Sequence, residues 1–347
     1  MTIRDAPQGL SLSVTHTAKS QPNQIDESTD SHAADKACPS TFSACVELTK
    51  PGITKLVTIT ALVGLLLSGL HYDLSGLGIW IKLIVGTIIG TSLASGGANA
   101  LNMWYESDRD ALMNRTKIRP IPSKRLSSRF VLGFGIIMTI VGTLILWLTC
   151  GIIPALVALV TTVSYVLIYT PLKPITITNT LIGAVPGALP AMIGTTAIGI
   201  TPAAPAVGFE LLLEPIGLML FTLMFVWQLP HFFAIAWMCK DDYKAGGFRM
   251  LPVVDPHGHH TALTMITTSA LLIPCGLAPL WIIPELAGWF TAGTSIILGG
   301  LLIFLSIKFA ITRTEKAARK VFFGSIIHLP VYLIVFVAEA SIRTLIS

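Results

Sequence analysis

Charge is scarce in this sequence: Asp, Glu, Lys and Arg make up 12% of its 347 residues, against about 25% in soluble domains. So few charges cannot clothe a core in water, which excludes a water-soluble globular protein. Cysteine is also thin. The five cysteines are scattered with no C-x-x-C pair, so neither a disulfide framework nor a zinc site is implied. Strict alternation of apolar and polar residues is missing from the apolar runs, which excludes a transmembrane β-barrel. The first 46 residues lack the apolar stretch of a signal peptide. They are rich in Ser, Thr, Asp, Gln and Ala and read as a disordered polar tail; Asp5, Asp26, Glu27, Asp30 and Asp35 argue against a mitochondrial transit peptide.

What is present is apolar length. Hydrophobic residues reach 53% and mean hydropathy is +0.75. From Lys50-Pro51 onward about nine runs recur, each near the roughly 20 residues that cross a bilayer as a helix. They cover about 53–70, 79–104, 131–149, 152–169, 178–199, 211–238, 262–283, 290–311 and 322–345. The expected fold is an all-α, polytopic transmembrane bundle over residues 47–347, preceded by the tail 1–46.

The net charge of +5 is no nucleic-acid signal, because the basic residues sit between apolar runs, where topology is set. Connections after the second, fourth, sixth and eighth runs hold Arg109 to Arg129, Lys173, Lys240 to Arg249 and Lys308 to Lys320; the opposite connections contain no Lys or Arg. The positive-inside rule therefore places the N-terminus and these connections in the cytoplasm. Almost every polar cluster with chemical potential lies on that side, so catalytic loops are expected there.

The second run ends in Asn102, Glu106 and Asp110. At about 100° per residue these lie within about 80° of one another on one helix face. Three oxygen-bearing side chains so stacked suit a hard cation such as Mg²⁺ with positions left for water or phosphate. Arg115, Lys117 and Arg119 follow, and guanidinium groups beside carboxylates suit a diphosphate. The same spacing also describes a solvated helix end in which Arg109 neutralises Glu106 or Asp110. In the sixth run, Gln228 and His231 flank Pro230 inside an apolar helix. His231 is either an iron ligand or a histidine bonded to a neighbouring helix. Asp241-Asp242 offers further carboxylates, and Gly246-Gly247 would let backbone approach a phosphate. Lys173 either anchors the interface or reaches into the site. His328 is a second histidine within a run. His257, His259 and His260 read as solvated loop residues.

Taken together, these segments resemble the intramembrane aromatic prenyltransferase superfamily, and within it the haem-farnesylating branch. The resemblance runs from about residue 47 to the C-terminus. It rests on Leu48-Thr49-Lys50-Pro51-Gly52-Ile53, Asn102 to Arg119, Tyr169-Thr170-Pro171-Leu172-Lys173, Pro186-Gly187-Ala188-Leu189-Pro190, Trp227 to Phe233, Lys240-Asp241-Asp242-Tyr243 with Gly246-Gly247, Leu251-Pro252-Val253-Val254 and His328-Leu329-Pro330. Glu106 stands where the superfamily usually has Asp. Gly246 stands four residues after Asp242, where the wider superfamily has a second Asp; the Asp-Tyr and Gly-Gly seen here favour the haem branch over quinone prenyltransferases.

The resemblance implies haem b and farnesyl diphosphate as substrates and Mg²⁺ as cofactor. By it, Asn102, Glu106, Asp110 and Asp242 hold the metal; Arg115, Arg119, Lys173 and Lys240 bind the diphosphate; His231 and His328 face the haem. It also implies a bacterial inner-membrane location in contact with lipid, no nucleic acid, and a haem A synthase or terminal oxidase as downstream partner. A quinone prenyltransferase shares the fold and metal motif but has no use for the two histidines. A transporter would bind near the midplane between repeats, and neither is visible here.

Overall fold

A computed structural model describes residues 40–346. Residues 1–39, most of the expected tail, lie outside the described residues. Residues 41–46, which composition assigns to that tail, instead form helix α1 (Thr41–Leu48), capped by the Ser40 hydroxyl accepting from Ser43 N. Ala44 and Leu48 are buried against Ala100, Met103 and Val131. Among the described residues, helical structure therefore begins one short helix earlier than apolar run length suggests.

Among the described residues, nine helices are long and apolar enough to cross a membrane: α2 (Pro51–His71), α3 (Leu77–Tyr105), α4 (Ser128–Cys150), α5 (Ile152–Leu172), α6 (Asn179–Ile200), α7 (Pro215–Met238), α8 (His259–Ile282), α9 (Trp289–Thr312) and α10 (Glu315–Ile346). Helices satisfy their own backbone groups, which is what lipid demands. The chain turns tightly from α4 to α5 at Gly151, whose φ of +100° a side chain would strain.

Lipid gives helices no hydrophobic reason to associate, so close backbone approach has to hold them. Between α3 and α4 glycines supply it. A Cβ at Gly142 would stand 2.4 Å from Ala94 N, and one at Gly97 would stand 2.7 Å from Gly135 O. Large apolar side chains such as Ile137, Trp289 and Ile311 point outward.

α5 is not a continuous α-helix. Residues Ser164–Tyr169 form a π-helical turn, and Thr170 Oγ1 donates back to Tyr165 O at 2.8 Å. Such turns are rare and cluster at functional sites. Here it widens the helix where Tyr165, Tyr169 and Lys173 line a common cavity.

Candidate active site

Asn102, Glu106 and Asp110 keep one face although α3 ends at Tyr105. Glu106 N donates to Asn102 O at 3.0 Å and Asp110 N to Glu106 O at 2.8 Å, so the i to i+4 ladder runs on into the short helix Ser107–Asp110. All three side chains are buried, at 1%, 5% and 1% exposure. A solvated helix end would not look like this.

Each of the three meets a cation of the chain. Lys50 Nζ donates to Asn102 Oδ1 at 2.9 Å, and Lys173 Nζ to Glu106 Oε1 at 2.6 Å. Arg119 Nη1 reaches both Asp110 oxygens, at 2.8 and 2.7 Å. Arg109 takes no part: it donates to Gly246 O at 2.9 Å and lies over the Phe248 ring. Asn102 is fixed further by donating to Thr170 Oγ1 at 3.0 Å. The π turn thus holds the orientation of the amide, so that its oxygen faces the cations.

Charge sets the electrostatics of this layer. Burial would push the Glu106 carboxyl up, but the Lys173 ammonium and its hydrogen bond, with Lys50 and Arg119 nearby, hold it below the usual range. Burial, then the Arg119 guanidinium and the Lys173 ammonium, push Lys50 down to about 7 against the pull of Glu106. Lys173 goes the other way. Burial opposes its charge, yet Tyr169 and Glu106 raise it above the ordinary value.

Directly within the bundle lies a cavity of about 830 Å³, lined by these side chains and by apolar residues of α2, α3, α5, α6, α7 and α10. Arg115, Arg119 and Lys173 line it, and so does Lys50, to which the sequence assigns no site role. Lys240 does not; its Nζ stands 4.8 Å from the Trp237 ring centroid. Asp242 does not either, and its Oδ1 accepts from Asn114 N at 3.0 Å, bracing the loop after Asp110. Gly246 and Gly247 serve that same loop. A Cβ on Gly246 would meet Met113 at 3.0 Å, and Gly247 has a φ of +70°.

His231 lines the cavity, stacked between Trp227 at 5.2 Å and Phe322 at 5.0 Å. Its Nδ1 lies 2.8 Å from Ser325 Oγ. The single hydroxyl proton of Ser325 goes to Phe322 O at 2.7 Å, so Nδ1 carries the proton and Nε2 keeps its lone pair. Gln228 is anchored to Met224 O at 2.9 Å. A Cβ on Gly187 would fall 1.8 Å from its Oε1, so a side chain there would have to displace the amide. His328 is placed differently. On α10 the residues Phe322, Ile326 and Pro330 line the cavity, and His328 lies at least about 120° around the helix from each of them. It is 2% exposed, stacks on Tyr332, and neither ring nitrogen has a hydrogen-bond partner among the described residues.

Asn102, Glu106 and Asp110 present only hard oxygen donors on one face, which fits a Mg²⁺ ion that completes its shell with water and phosphate oxygens. Among the described residues no three His, Cys, Asp or Glu side chains come together as a metal cage. Asp242 is therefore not brought into one cluster with Glu106 and Asp110.

The sequence pattern of the UbiA prenyltransferase family matches residues 57–327. The chain belongs to the UbiA prenyltransferase family. Two UbiA relatives are similar over most of their length. The protoheme IX farnesyltransferase of Solibacter usitatus is 38% identical over 293 residues, covering 82% of this chain and 94% of that protein. That of Opitutus terrae is 40% identical over 294 residues, covering 84% and 92%. Solved structures share the UbiA fold at low identity. A digeranylgeranylglyceryl phosphate synthase superposes with a TM-score of 0.66 at 17% identity, covering 86% of this chain and 98% of that one. A UbiA homologue from Archaeoglobus fulgidus bound to DMAPP and Mg²⁺ gives 0.52 at 14%, covering 86% and 99%.

Proposed function

We propose that this UbiA-family chain transfers the farnesyl group of farnesyl diphosphate to a vinyl group of haem b, with addition of water, giving haem O. The observation that carries this reading is one cavity whose lining joins two kinds of chemistry. A layer of buried carboxylates and cations lines part of it, and an imidazole with a free Nε2 lone pair stands in its wall beside apolar helices. The names of the relatives above point to the same substrates.

Lys50, Arg115, Arg119 and Lys173 bind the diphosphate and stabilise it as the leaving group. Asn102, Glu106 and Asp110 hold Mg²⁺, which when bound neutralises charge on the departing phosphate oxygens. As the C1–O bond of the substrate breaks, its electron pair leaves with the diphosphate. The vinyl π electrons of the haem form the new bond to C1. Water then adds to the resulting cation and loses a proton, which leaves a hydroxyethylfarnesyl side chain. Tyr165, Tyr169 and Trp227 line the cavity and help exclude water before that step. His231 orients the haem through Nε2, and Asp242 acts by fixing Asn114. His328 lies behind the cavity wall and supports the α10 segment that carries Phe322 and Ile326.

The basic residues gather at the end of the bundle that holds the charged layer, which supports reading this end and the N-terminus as cytoplasmic in a bacterial inner membrane. Incubating purified protein with haem b, farnesyl diphosphate and Mg²⁺ tests the reading by mass spectrometry of the haem.

A further inference from the structure

Bond formation between the prenyl C1 and the vinyl group leaves a cation on the vinyl carbon next to the porphyrin ring. Two exits compete for it. Water adds at that carbon and loses a proton, giving the alcohol, or the neighbouring CH₂ loses a proton and an alkene results. In a pocket that otherwise keeps water out, the alcohol wins only where one water is held ready beside the cation.

Gln228 of α7 has the means to hold it. The residue is 3% exposed, and its amide is locked at the nitrogen end, with Nε2 2.9 Å from Met224 O and 3.3 Å from Ala184 O. Both partners are carbonyls, which only accept, so the nitrogen is the atom that faces them and its two hydrogens are committed. These bonds tie the side chain to α7 and to α6 without using the oxygen. No donor among the described residues reaches Oε1. Nor is this oxygen sealed in protein: Gln228 and the neighbouring Gly187 both line the cavity, and Oε1 is not among the enclosed polar atoms that lack a partner. Gly187 makes the room, since a Cβ there would fall 1.8 Å from Oε1. In the same wall Pro190 has no N–H to give the Pro186 carbonyl its usual helical partner, and both prolines line the cavity.

Position points to the same residue. Gln228 precedes His231 by three residues, about 4.5 Å along α7 and about 60° around it, so the amide lies one turn from the ring that faces the haem. The hydroxyls of Thr161 and Thr162 also line the cavity, but they belong to α5 and donate to Val157 O and Ala158 O.

We propose that Gln228 Oε1 holds the water that adds to the haem-borne cation. An acceptor suits this task because it takes one hydrogen of the water and leaves the oxygen lone pair free for the carbon. As that lone pair forms the C–O bond, the surplus proton passes to the diphosphate released in the first step, and the amide stays neutral. The assignment rests on the haem reading of the site and adds to it the group that decides between alcohol and alkene.

Liquid chromatography with mass spectrometry of the haem, after turnover of haem b and farnesyl diphosphate by the full chain with Mg²⁺, separates the two products, because the alkene is lighter by one water. The unmodified chain should give the alcohol in excess. Gln228→Met removes the oxygen at similar side-chain length, and Gly187→Ala displaces it while keeping the amide. Each should lower the alcohol-to-alkene ratio by about tenfold or more. A ratio within one sample is independent of how much of the protein is folded. An unchanged ratio in both variants overturns the proposal. So does loss of both products from both variants while haem b still binds, since the oxygen would then be needed before water adds. No adduct of either mass from the unmodified chain is a different failure: it refutes the haem acceptor, and the role of Gln228 falls with it.

Discussion

Lys173 and Glu106, 67 residues apart in sequence, meet at 2.6 Å from Nζ to Oε1, and both side chains are buried. Removing one partner of a buried pair leaves an uncompensated charge, which costs about 3–5 kcal/mol, whereas removing both can cost far less. Glu106→Gln should therefore lower thermal stability in detergent, and Glu106→Gln with Lys173→Met should recover more than half of that loss. Strictly additive effects of the two substitutions would contradict the pairing. Activity should fall in both, by about 100-fold or more, because the lost groups face the diphosphate.

Lys50 gives the site a pH dependence. Its proton is held with a value of about 7 in the folded chain, below the ordinary 10.5. Between those values the unfolded chain binds a proton that the folded one does not, so stability rises with pH across that window. Diphosphate affinity does the reverse, because it needs the ammonium form and weakens as pH passes above about 7. Lys50→Arg should abolish that weakening. A titration of inorganic diphosphate binding between pH 6 and about 9 checks this; a flat profile in the unmodified chain removes Lys50 from the site.

For His231 the prediction is spectroscopic. His231→Ala should lower haem b affinity at least about tenfold and remove any imidazole signature from the bound haem spectrum. Ser325→Ala should weaken it less, since it frees the tautomer without deleting the ligand. His328→Leu should leave the haem spectrum as it is. Loss of the signature in His328→Leu, with His231→Ala silent, would exchange the two roles.

Asp255 accepts from His259 N at 3.2 Å and from Thr261 N and Oγ1 at 2.8 and 3.0 Å, satisfying the start of α8. These bonds outweigh burial and hold its carboxyl below the usual range. The stabilisation is thus present at neutral pH and disappears as pH falls through that lowered value. Asp255→Ala should cost about 1–2 kcal/mol of stability, with turnover of the folded fraction intact. Equal stability of the two proteins at pH 7 would show the cap to be idle.

Apolar run length reports the spans because lipid forces each to be long and helical, and α2 to α10 follow it closely. The shared face of Asn102, Glu106 and Asp110 was equally legible, being local geometry. What run length and spacing could not disclose is which charge meets which. Arg109 looks like the neutralising partner by spacing, yet Arg119 takes Asp110 after the chain folds back, and Lys50 reaches Asn102 across 52 residues. Lys50-Pro51 reads as a helix boundary because Pro51 begins α2, and that hides a side chain that turns into the cavity. The π turn in α5 leaves no mark beyond Tyr169-Thr170-Pro171, since its extra residue changes no periodicity long enough to notice. Asp242 reads as a metal ligand from its neighbours in sequence; in the fold its Oδ1 accepts from Asn114 N and the residue is not among those lining the cavity.

The central claim is that the charged layer and the His231 wall serve one reaction between a prenyl diphosphate and haem. Mass spectrometry of haem b after incubation with the purified chain, farnesyl diphosphate and Mg²⁺ tests it most directly. The account predicts a haem heavier by one farnesyl group and one water, and no such product once divalent metal is removed. Unmodified haem with competent substrates, or full product without divalent metal, would contradict it.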